Sequence, residues 1–325
     1  MTIMHTASEI TLNDKIDHFL ARWGFRRGEH RVGPGLYELG RPGKESPVFV
    51  TANYTLSFDA LRSALKGVDG YILVLDTFGI NVWCAAGKGT FGTEELVRRI
   101  ELTGLKDVVT HRKIILPQLG APGVKSFEVT KRTGFRIEYG PIKASDLPAY
   151  LQTGKATPEM RRVRFPLWDR IVLAPVELVA VILPAIVAAI VAFLVMGWAG
   201  ALGIVTAALA GTVLFPVLMP YLPTKDYSTR GLLLGFILSL PFVAYQLASG
   251  AAGEWQTYAY ALAYPLVMMP VTAYLALNFT GSTPYPSRTG VRKEIFTYIP
   301  AMAALLALGV LLVAAMTALS LLGAI

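Results

Sequence analysis

The sequence predicts an α/β, Rossmann-like domain followed by an all-α bundle of five transmembrane helices. Two observations lead to this prediction. The 54% hydrophobic content of the 325-residue chain is too high for an ordinary soluble protein, and most of the charged residues lie at or before Arg170. Beyond that point, long apolar runs alternate with short polar links. We therefore expect one domain over residues 1–165 and a transmembrane domain over residues 166–325.

The first half of the chain alternates short apolar strands with amphipathic helices. Strands are predicted at 48–51, 70–76, 108–116 and 127–139, and apolar residues have helical spacing at 57–65 and 93–103. Strands that alternate with helices are typical of a parallel sheet covered on both faces. Ligands bind such sheets beyond the carboxyl ends of the strands, which here are the segments 51–54, 76–79 and 116–123.

The second half contains five segments that are long and apolar enough, or nearly so, to cross a bilayer as helices. They are about 171–196, 199–219, 231–248, 258–277 and 299–325. Basic residues precede the first segment and lie in the second and fourth links, whereas the other two links have none. By the positive-inside rule, the N-terminal domain is expected in the cytoplasm and the C-terminus on the outer side of the cytoplasmic (inner) membrane. Residues 1–15 include no apolar core of the kind that a secretory signal needs, which agrees with this orientation.

Charge and cysteine content exclude several classes of function. The net charge of +8 does not indicate a nucleic-acid partner, because the densest basic cluster, at 161–170, simply abuts the first apolar run. A single cysteine, Cys84, excludes an intrachain disulfide framework, a self-contained iron–sulfur cluster and a cysteine-rich zinc site. Any electrons that the chemistry needs must therefore come from a partner.

Cys84 lies in the segment 81–93, shortly after the strand that ends at Asp76. The glycines at 87–92 fit G-x-G-x-x-G but start too far beyond the strand for a dinucleotide fingerprint, and Lys88 is followed by Gly, which disfavours a P-loop. Two interpretations of Cys84 stay open. It is either a buried, inert cysteine or a thiolate favoured by a helix N-terminus and by the charge of Lys88. The small residues 85–87 would let a large, flat molecule approach the helix.

The run Asn81–Lys88, NVWCAAGK, resembles the cap-helix motif of the HgcA family, the corrinoid proteins of the mercury-methylation system. The flanking segments 47–54 (PVFVTANY) and 73–79 (LVLDTFG) resemble the same family, as do the PGLY stretch at 34–37 and the apolar second half. The likeness covers nearly the whole chain without a departure inside the motif. That family is itself related to the corrinoid iron–sulfur protein of the acetyl-CoA pathway.

The resemblance implies a cobalamin-type corrinoid, bound base-off in the α/β domain, with Cys84 as the catalytic residue and the axial ligand of the cobalt. The Asp-x-His-x-x-Gly motif of histidine-ligated corrinoid proteins is missing, because Gly28 stands where its Asp would precede His30. The resemblance also implies contacts from the cap and from the strand ends. Besides Cys84, the residues expected to bind the cofactor are Thr51, Ala52, Asn53, Asp76, Thr77, Asn81, Val82, Trp83, Ala85, Ala86, Gly87, Lys88, Gln118, Leu119, Gly120 and Ala121.

The implied activity is corrinoid-dependent transfer of a cobalt-bound methyl group to Hg(II), which forms methylmercury. The implied partners are HgcB, a ferredoxin-like iron–sulfur protein that supplies electrons, and a methyl-tetrahydrofolate-linked methyl donor. Two alternatives remain open. One is a membrane-anchored corrinoid methyl carrier for another acceptor; the other is a transporter with a cytosolic nucleotide-sensing domain, which predicts nucleotide binding and no cobalt.

Overall fold

The computed structural model describes residues 3–250, 254–285 and 287–323, and the chain divides into two compact units, Met1–Arg164 and Phe165–Ile325. The last two residues of the fifth predicted membrane span, 324 and 325, lie outside the described residues, as do 251–253 in the link before the fourth. Each unit has its own core and is taken separately.

The first unit is built on a six-stranded mixed sheet with the order β1-β2-β4-β3-β5-β6. The four strands from β4 to β6 in this order are parallel, whereas β2 runs antiparallel to β4 and β1 runs parallel to β2. The α/β prediction is confirmed, and the four strands that the sequence predicts are parallel to one another; β1 and β2, which were not predicted, make the sheet mixed. The link at 40–47 between β2 and β3 is too short for the helix that a parallel crossover needs. The strands are β1 (Met4–Thr6), β2 (Gly35–Leu39), β3 (Val48–Ala52), β4 (Gly70–Leu75), β5 (Lys113–Leu116) and β6 (Arg136–Tyr139).

Seven α-helices accompany the sheet in the described part of this unit, and the bounds of two predicted strands change. The segment expected as strand from 108 begins after a short helix, and most of the one expected at 127–139 is helical. Val129 and Thr133 are both buried four residues apart, which is the spacing of one helix face, and Gly134 ends that helix with a φ of 77°. The helices are α1 (Leu12–Arg22), α2 (Thr55–Ala64), α3 (Val82–Lys88), α4 (Thr93–Leu102), α5 (Leu105–Val108), α6 (Ser126–Thr133) and α7 (Leu147–Thr153).

Both faces of this sheet are covered, as the sequence predicts. Successive residues of β4 point to opposite faces. Leu73 and Leu75 pack in one core with residues of α3, α4 and α6, and Ile72 and Val74 pack in the other with residues of α2 and α7. The sheet is thus a rigid platform whose strand ends are held from both sides.

The second unit is helical in its described residues. Its helices are α8 (Leu167–Ile171), α9 (Ala174–Leu209), α10 (Phe215–Leu218), α11 (Tyr227–Ser249), α12 (Trp255–Asn278) and α13 (Arg288–Leu321). Four helical segments of the described chain are long and apolar enough to cross a membrane: Leu167–Tyr221, Tyr227–Ser249, Trp255–Ser282 and Arg288–Leu321. The five predicted spans are not confirmed, because the first two fall within one segment of 55 residues.

That long segment is not one straight helix. Gly197 has a φ of 66° and a ψ of −160°, which breaks the helix at a position where a side chain would be strained. Residues from both sides of the break, such as Ile186 and Val205, line one apolar groove. The chain therefore changes direction at Gly197.

A buried arginine supports the end of the same segment. The Arg170 side chain is 6% exposed, and its Nη1 donates to the carbonyl oxygens of Pro216 and Val217 at 2.9 and 2.8 Å. Pro220 has no N–H to donate to the Pro216 carbonyl one turn earlier. Arg170 therefore supplies a hydrogen bond that the proline leaves unmade.

Candidate functional site

The chain connections of the first unit diverge between β3 and β5. After β3 the chain returns through α2 to β4, and after β4 it crosses β3 to reach β5 on the other side. Such a switch point leaves a crevice at the carboxyl ends of the strands, where ligands of α/β proteins bind. A cavity of about 340 Å³ lies there. Its walls come from the ends of β3, β5 and β6, from α2 and α7, and from the first turn of α3; they include Thr51, Ser57, Leu61, Asn81, Val82, Trp83, Leu116, Pro117, Leu119, Gly140, Pro141 and Leu147.

The structure brings five of the predicted site residues to this cavity. They are Thr51, Asn81, Val82, Trp83 and Leu119. Asp76 instead lines a second recess, also about 340 Å³, which lies just past the end of α3 and is rich in charged residues. The predicted residues are thus divided between the beginning of α3 and the region beyond its end.

Asn53 holds the loop that leads from β4 into α3. Its side chain is 1% exposed. Its Oδ1 accepts hydrogen bonds from the N–H groups of Thr77 and Gly79, both at 3.0 Å, and lies 2.9 Å from the Thr77 hydroxyl. Its Nδ2 donates to Asp76 at 3.1 Å. Asn53 and Thr77 therefore stabilise the loop before α3 by buried hydrogen bonds, and neither side chain is exposed to a ligand.

Helix α3 carries Cys84 on its first turns. The Asn81 side chain caps the helix by accepting the Cys84 N–H at 2.9 Å, and Gly89, with a φ of 86°, ends it. Cys84 is partly exposed. Trp83 lines the cavity and Cys84 is its neighbour in the chain, but the thiol is not among the cavity walls described above.

The two alanines of α3 face the protein and not the solvent. Ala85 is fully buried and Ala86 is 5% exposed. A Cβ added to Gly123 would overlap the Phe91 carbonyl oxygen and would lie 3.1 Å from the Ala86 Cα. The small residues thus let the loop after β5 pack directly against the backbone of α3. Gly87 and Lys88, at the end of the helix, are exposed.

The loop after β5 contributes the remaining predicted residues. Gly120 is buried, and a Cβ added there would come 2.5 Å from the ring of Phe91, which is itself fully buried. Gln118 accepts a hydrogen bond from Arg161 at 2.5 Å, and Ala121 is partly buried. Ala52, the last residue of β3, is fully buried in the core.

Sequence reasoning missed the segment 140–144 after β6, which supplies one cavity wall. The signal was present as Gly140-Pro141, a pair typical of turns, directly after a short β-rich run. Phe91 and Gly123 were also missed, since neither residue type by itself indicates a site. The glycines at 89 and 92 end α3 and begin α4, so this stretch of the G-x-G-x-x-G pattern is accounted for by helix boundaries.

His30 is buried and held on both ring nitrogens. Nδ1 lies 2.7 Å from the Asp17 carboxylate and Nε2 lies 2.6 Å from the Phe25 carbonyl oxygen. Burial by itself lowers the pKa of His30, but these two acceptors outweigh it and raise the pKa above its ordinary value. The side chain ties α1 to the segment before β2.

In the described part of the chain, no three His, Cys, Asp or Glu side chains form a group that could hold a metal ion. Cys84 therefore belongs to no group of three or more such side chains in that part of the chain. A metal bound here would have to bring most of its ligands with it.

Comparison with known proteins identifies relatives of the first unit. Residues 25–151 match the family model of the CO dehydrogenase/acetyl-CoA synthase delta subunit. The acetyl-CoA decarbonylase/synthase complex subunit gamma of Methanopyrus kandleri is 34% identical over 128 residues, which is 39% of this chain and 27% of that protein. Its counterpart in Methanothermobacter thermautotrophicus is 35% identical over 127 residues, which is 38% of this chain and 27% of that protein.

The corrinoid/iron-sulfur protein large subunit of Moorella thermoacetica is 30% identical over 129 residues, which is 39% of this chain and 28% of that protein. The aligned part thus spans little more than a quarter of each of these relatives. The family match ends before Phe165, where the helical second unit begins. The α/β unit of this chain is therefore a relative of the corrinoid iron–sulfur protein.

Proposed function

We propose that the chain is a membrane-anchored, corrinoid-dependent methyltransferase that passes a cobalt-bound methyl group to Hg(II). The observation that carries the proposal is the position of Cys84. It lies partly exposed on a capped helix beside the switch-point cavity, in a unit whose relatives include a corrinoid/iron-sulfur protein.

The donor set of this site fits a corrinoid. A corrin ring would bring most of the ligands of its own cobalt, so the protein would need to offer only one more. Cys84 can be that ligand, and no cluster of further His, Cys, Asp or Glu ligands is needed or found among the described residues. A thiolate is also a soft, electron-rich ligand, and such a ligand on cobalt would favour transfer of the methyl group to a soft metal ion such as Hg(II).

The other residues would hold and shield the cofactor. Thr51, Val82, Trp83 and Leu119 would exclude water from the cavity, while Asn53 and Asn81 keep α3 and its thiol in place. When bound, the methylated corrinoid supplies the group that is transferred. The buried residues Ala52, Thr77, Ala85, Ala86 and Gly120 would shape the site from within, and Asp76, Gly87, Lys88, Gln118 and Ala121 would contact the rim of the ring or its nucleotide tail.

The second unit is proposed as the membrane anchor. We infer that its longest apolar segment crosses the bilayer twice, because the helix breaks at Gly197 and both halves line one groove. This gives five spans, with the first unit in the cytoplasm and the C-terminus outside, as the basic links indicate. A ferredoxin-like iron–sulfur protein of the HgcB type would supply electrons, and a methyl-tetrahydrofolate-linked protein would supply the methyl group.

The first test is cofactor binding by the full chain in detergent. Wild type, Cys84→Ala and the control Thr90→Ala, which changes a side chain just beyond α3, are reconstituted with methylcobalamin. We expect about one cobalt per chain for wild type and control, with a thiolate-dependent absorption spectrum that Cys84→Ala lacks. If wild type binds nucleotides and no corrinoid, the transporter alternative with a nucleotide-sensing domain takes its place.

The second test identifies the acceptor. The methylated wild-type protein is offered Hg(II) or a simple thiol, and the methylated product is measured. Transfer to Hg(II) that depends on Cys84 supports the proposal. Transfer to the thiol with none to Hg(II) would instead identify a corrinoid methyl carrier for another acceptor.

A further inference from the structure

Helix α1 carries its large apolar side chains on the outside of the first unit. Leu12, Ile16, Phe19 and Trp23 are 73%, 50%, 59% and 39% exposed. Their spacing of four, three and four residues places them on one face of a helix. The rings of Phe19 and Trp23 lie 5.7 Å apart, so the stripe is continuous toward the end of the helix.

The opposite face of α1, which packs against the domain, is mostly polar and includes one buried apolar residue, Ala21. Asp14 pairs with Arg62, Asp17 with His30 and His18 with Asp59, each at 2.7 Å. This is the reverse of an ordinary surface helix, whose apolar stripe faces the core. The exposed stripe is thus not a core face that has lost its partner within this unit. A contiguous apolar surface of this kind marks a binding surface.

Basic residues border the stripe. Lys15 and Arg22 lie on α1 itself, and Arg26 and Arg27 follow it together with the exposed Phe25. The acidic residues of α1 are already engaged in the inward ion pairs. Beyond α1, Glu29 pairs with Arg26 at 3.5 Å. The outward charge beside the stripe is therefore mainly positive.

We propose that α1 lies in the membrane–water interface, with its apolar stripe among the lipid chains and its cations against anionic headgroups. Trp, Phe and Leu on one side with Lys and Arg at the border is the composition of interfacial helices. This inference rests on the membrane anchoring proposed above. The link at 154–166 then keeps the first unit near the bilayer, since its 13 residues reach at most about 45 Å.

A contact of this kind would fix the orientation of the first unit relative to the membrane. Helix α1 lies before the residues matched by the family model, which begin at residue 25.

The test places a nitroxide spin label on single cysteines in the full chain, in a Cys84→Ser background. The labelled positions are Phe19 on the stripe, Phe127 on α6 as an exposed aromatic control, and Leu194 in the first apolar segment. The protein is studied in vesicles of phosphatidylcholine and phosphatidylglycerol in a three-to-one ratio. Collision rates of each label are measured with oxygen, which concentrates in lipid, and with a water-soluble nickel chelate.

We expect the label at Phe19 to collide several-fold more with oxygen than with the nickel chelate, whereas the label at Phe127 behaves as in water. Equal accessibility of Phe19 and Phe127 to the nickel chelate would overturn the inference. So would a label at Phe19 that is immobile and shielded from both reagents in detergent as well, because that result indicates a protein partner or a second copy. The label at Leu194 separates the two proposals, since its exposure to water would contradict the membrane anchoring itself.

A charge variant tests the lipid contribution. Replacing Lys15, Arg22, Arg26 and Arg27 by Gln should lower the oxygen preference at Phe19 in these vesicles and leave that at Leu194 unchanged. The wild-type label should respond in the same direction when phosphatidylglycerol is omitted or salt is raised. Insensitivity of Phe19 to all three changes would contradict the role of the cations.

Discussion

Replacing Asn53 by Ala should loosen the loop that positions the cap helix. Its Oδ1 is the shared acceptor for two backbone N–H groups, of Thr77 and Gly79, at 3.0 Å. A buried donor left without an acceptor costs about 1–3 kcal/mol. The Thr77 group is buried and the Gly79 group is partly exposed, so we expect a total loss of about 2–4 kcal/mol. That is a large part of the stability of about 5–15 kcal/mol that is typical of a folded domain.

The assay is urea unfolding of the full chain in detergent, with Trp168, Trp198 and Trp255 of the second unit replaced by Phe so that the fluorescence reports on Trp23 and Trp83 of the first. Asn53→Asp retains an acceptor but places a buried carboxylate about 3.1 Å from Asp76, so its midpoint should fall at least as far as that of Asn53→Ala. The control Asn13→Ala changes an exposed asparagine and should alter stability by less than about 0.5 kcal/mol. An unchanged midpoint for Asn53→Ala would refute the stabilising role of the Asn53 side chain. An unchanged corrinoid affinity would refute its role in positioning α3.

Three further predictions address other parts of the chain. Gly123→Ala should destabilise the first unit by about 1–3 kcal/mol and weaken corrinoid binding, because the added Cβ would overlap backbone atoms that cannot move away. The control Gly43→Ala adds a Cβ with nothing within 4 Å and should change neither stability nor binding. The raised pKa of His30 means that its stabilising contribution is complete below pH 6.5 and is lost as the pH rises through the higher pKa of the folded state, so His30→Gln should flatten the pH dependence of the urea midpoint. Arg170→Ala should lower the Tm of the second unit by removing hydrogen bonds worth about 1.5–3 kcal/mol each, while the exposed Arg164→Ala should not; equal Tm values would contradict that role.

The family resemblance of the first unit could be predicted from the sequence because it depends on a contiguous motif. The run at 81–88 needs no knowledge of the fold to be recognised, and the comparisons confirm a relative of the corrinoid iron–sulfur protein. The apolar character of the second half was equally plain, since bilayer thickness sets a minimum length that a sequence either has or lacks. The division of this half into membrane spans could not be settled from the sequence, because the helix break at Gly197 depends on its backbone angles.

The strand directions also had to come from the structure. Strand β2 was not predicted from the sequence, and only its pairing with β4 shows that it runs the opposite way. The bounds of the strand predicted at 127–139 were wrong for a related reason: only residues 136–139 are strand, whereas 126–133 form α6. Its β-rich composition is local, whereas the burial of Val129 and Thr133 on one helix face is a tertiary fact.

By itself, the sequence determined the class of the first unit, the resemblance of its cap motif and the apolar nature of the second half. Only the tertiary structure decided that the alanines of α3 face inward, that Asp76 and Thr51 line separate recesses, and that Asn53 is a buried clamp. It alone showed the apolar stripe of α1 on the outside. The physical reason is common to all four: the direction in which a side chain points depends on what packs against its element, and residues distant in the chain supply that packing.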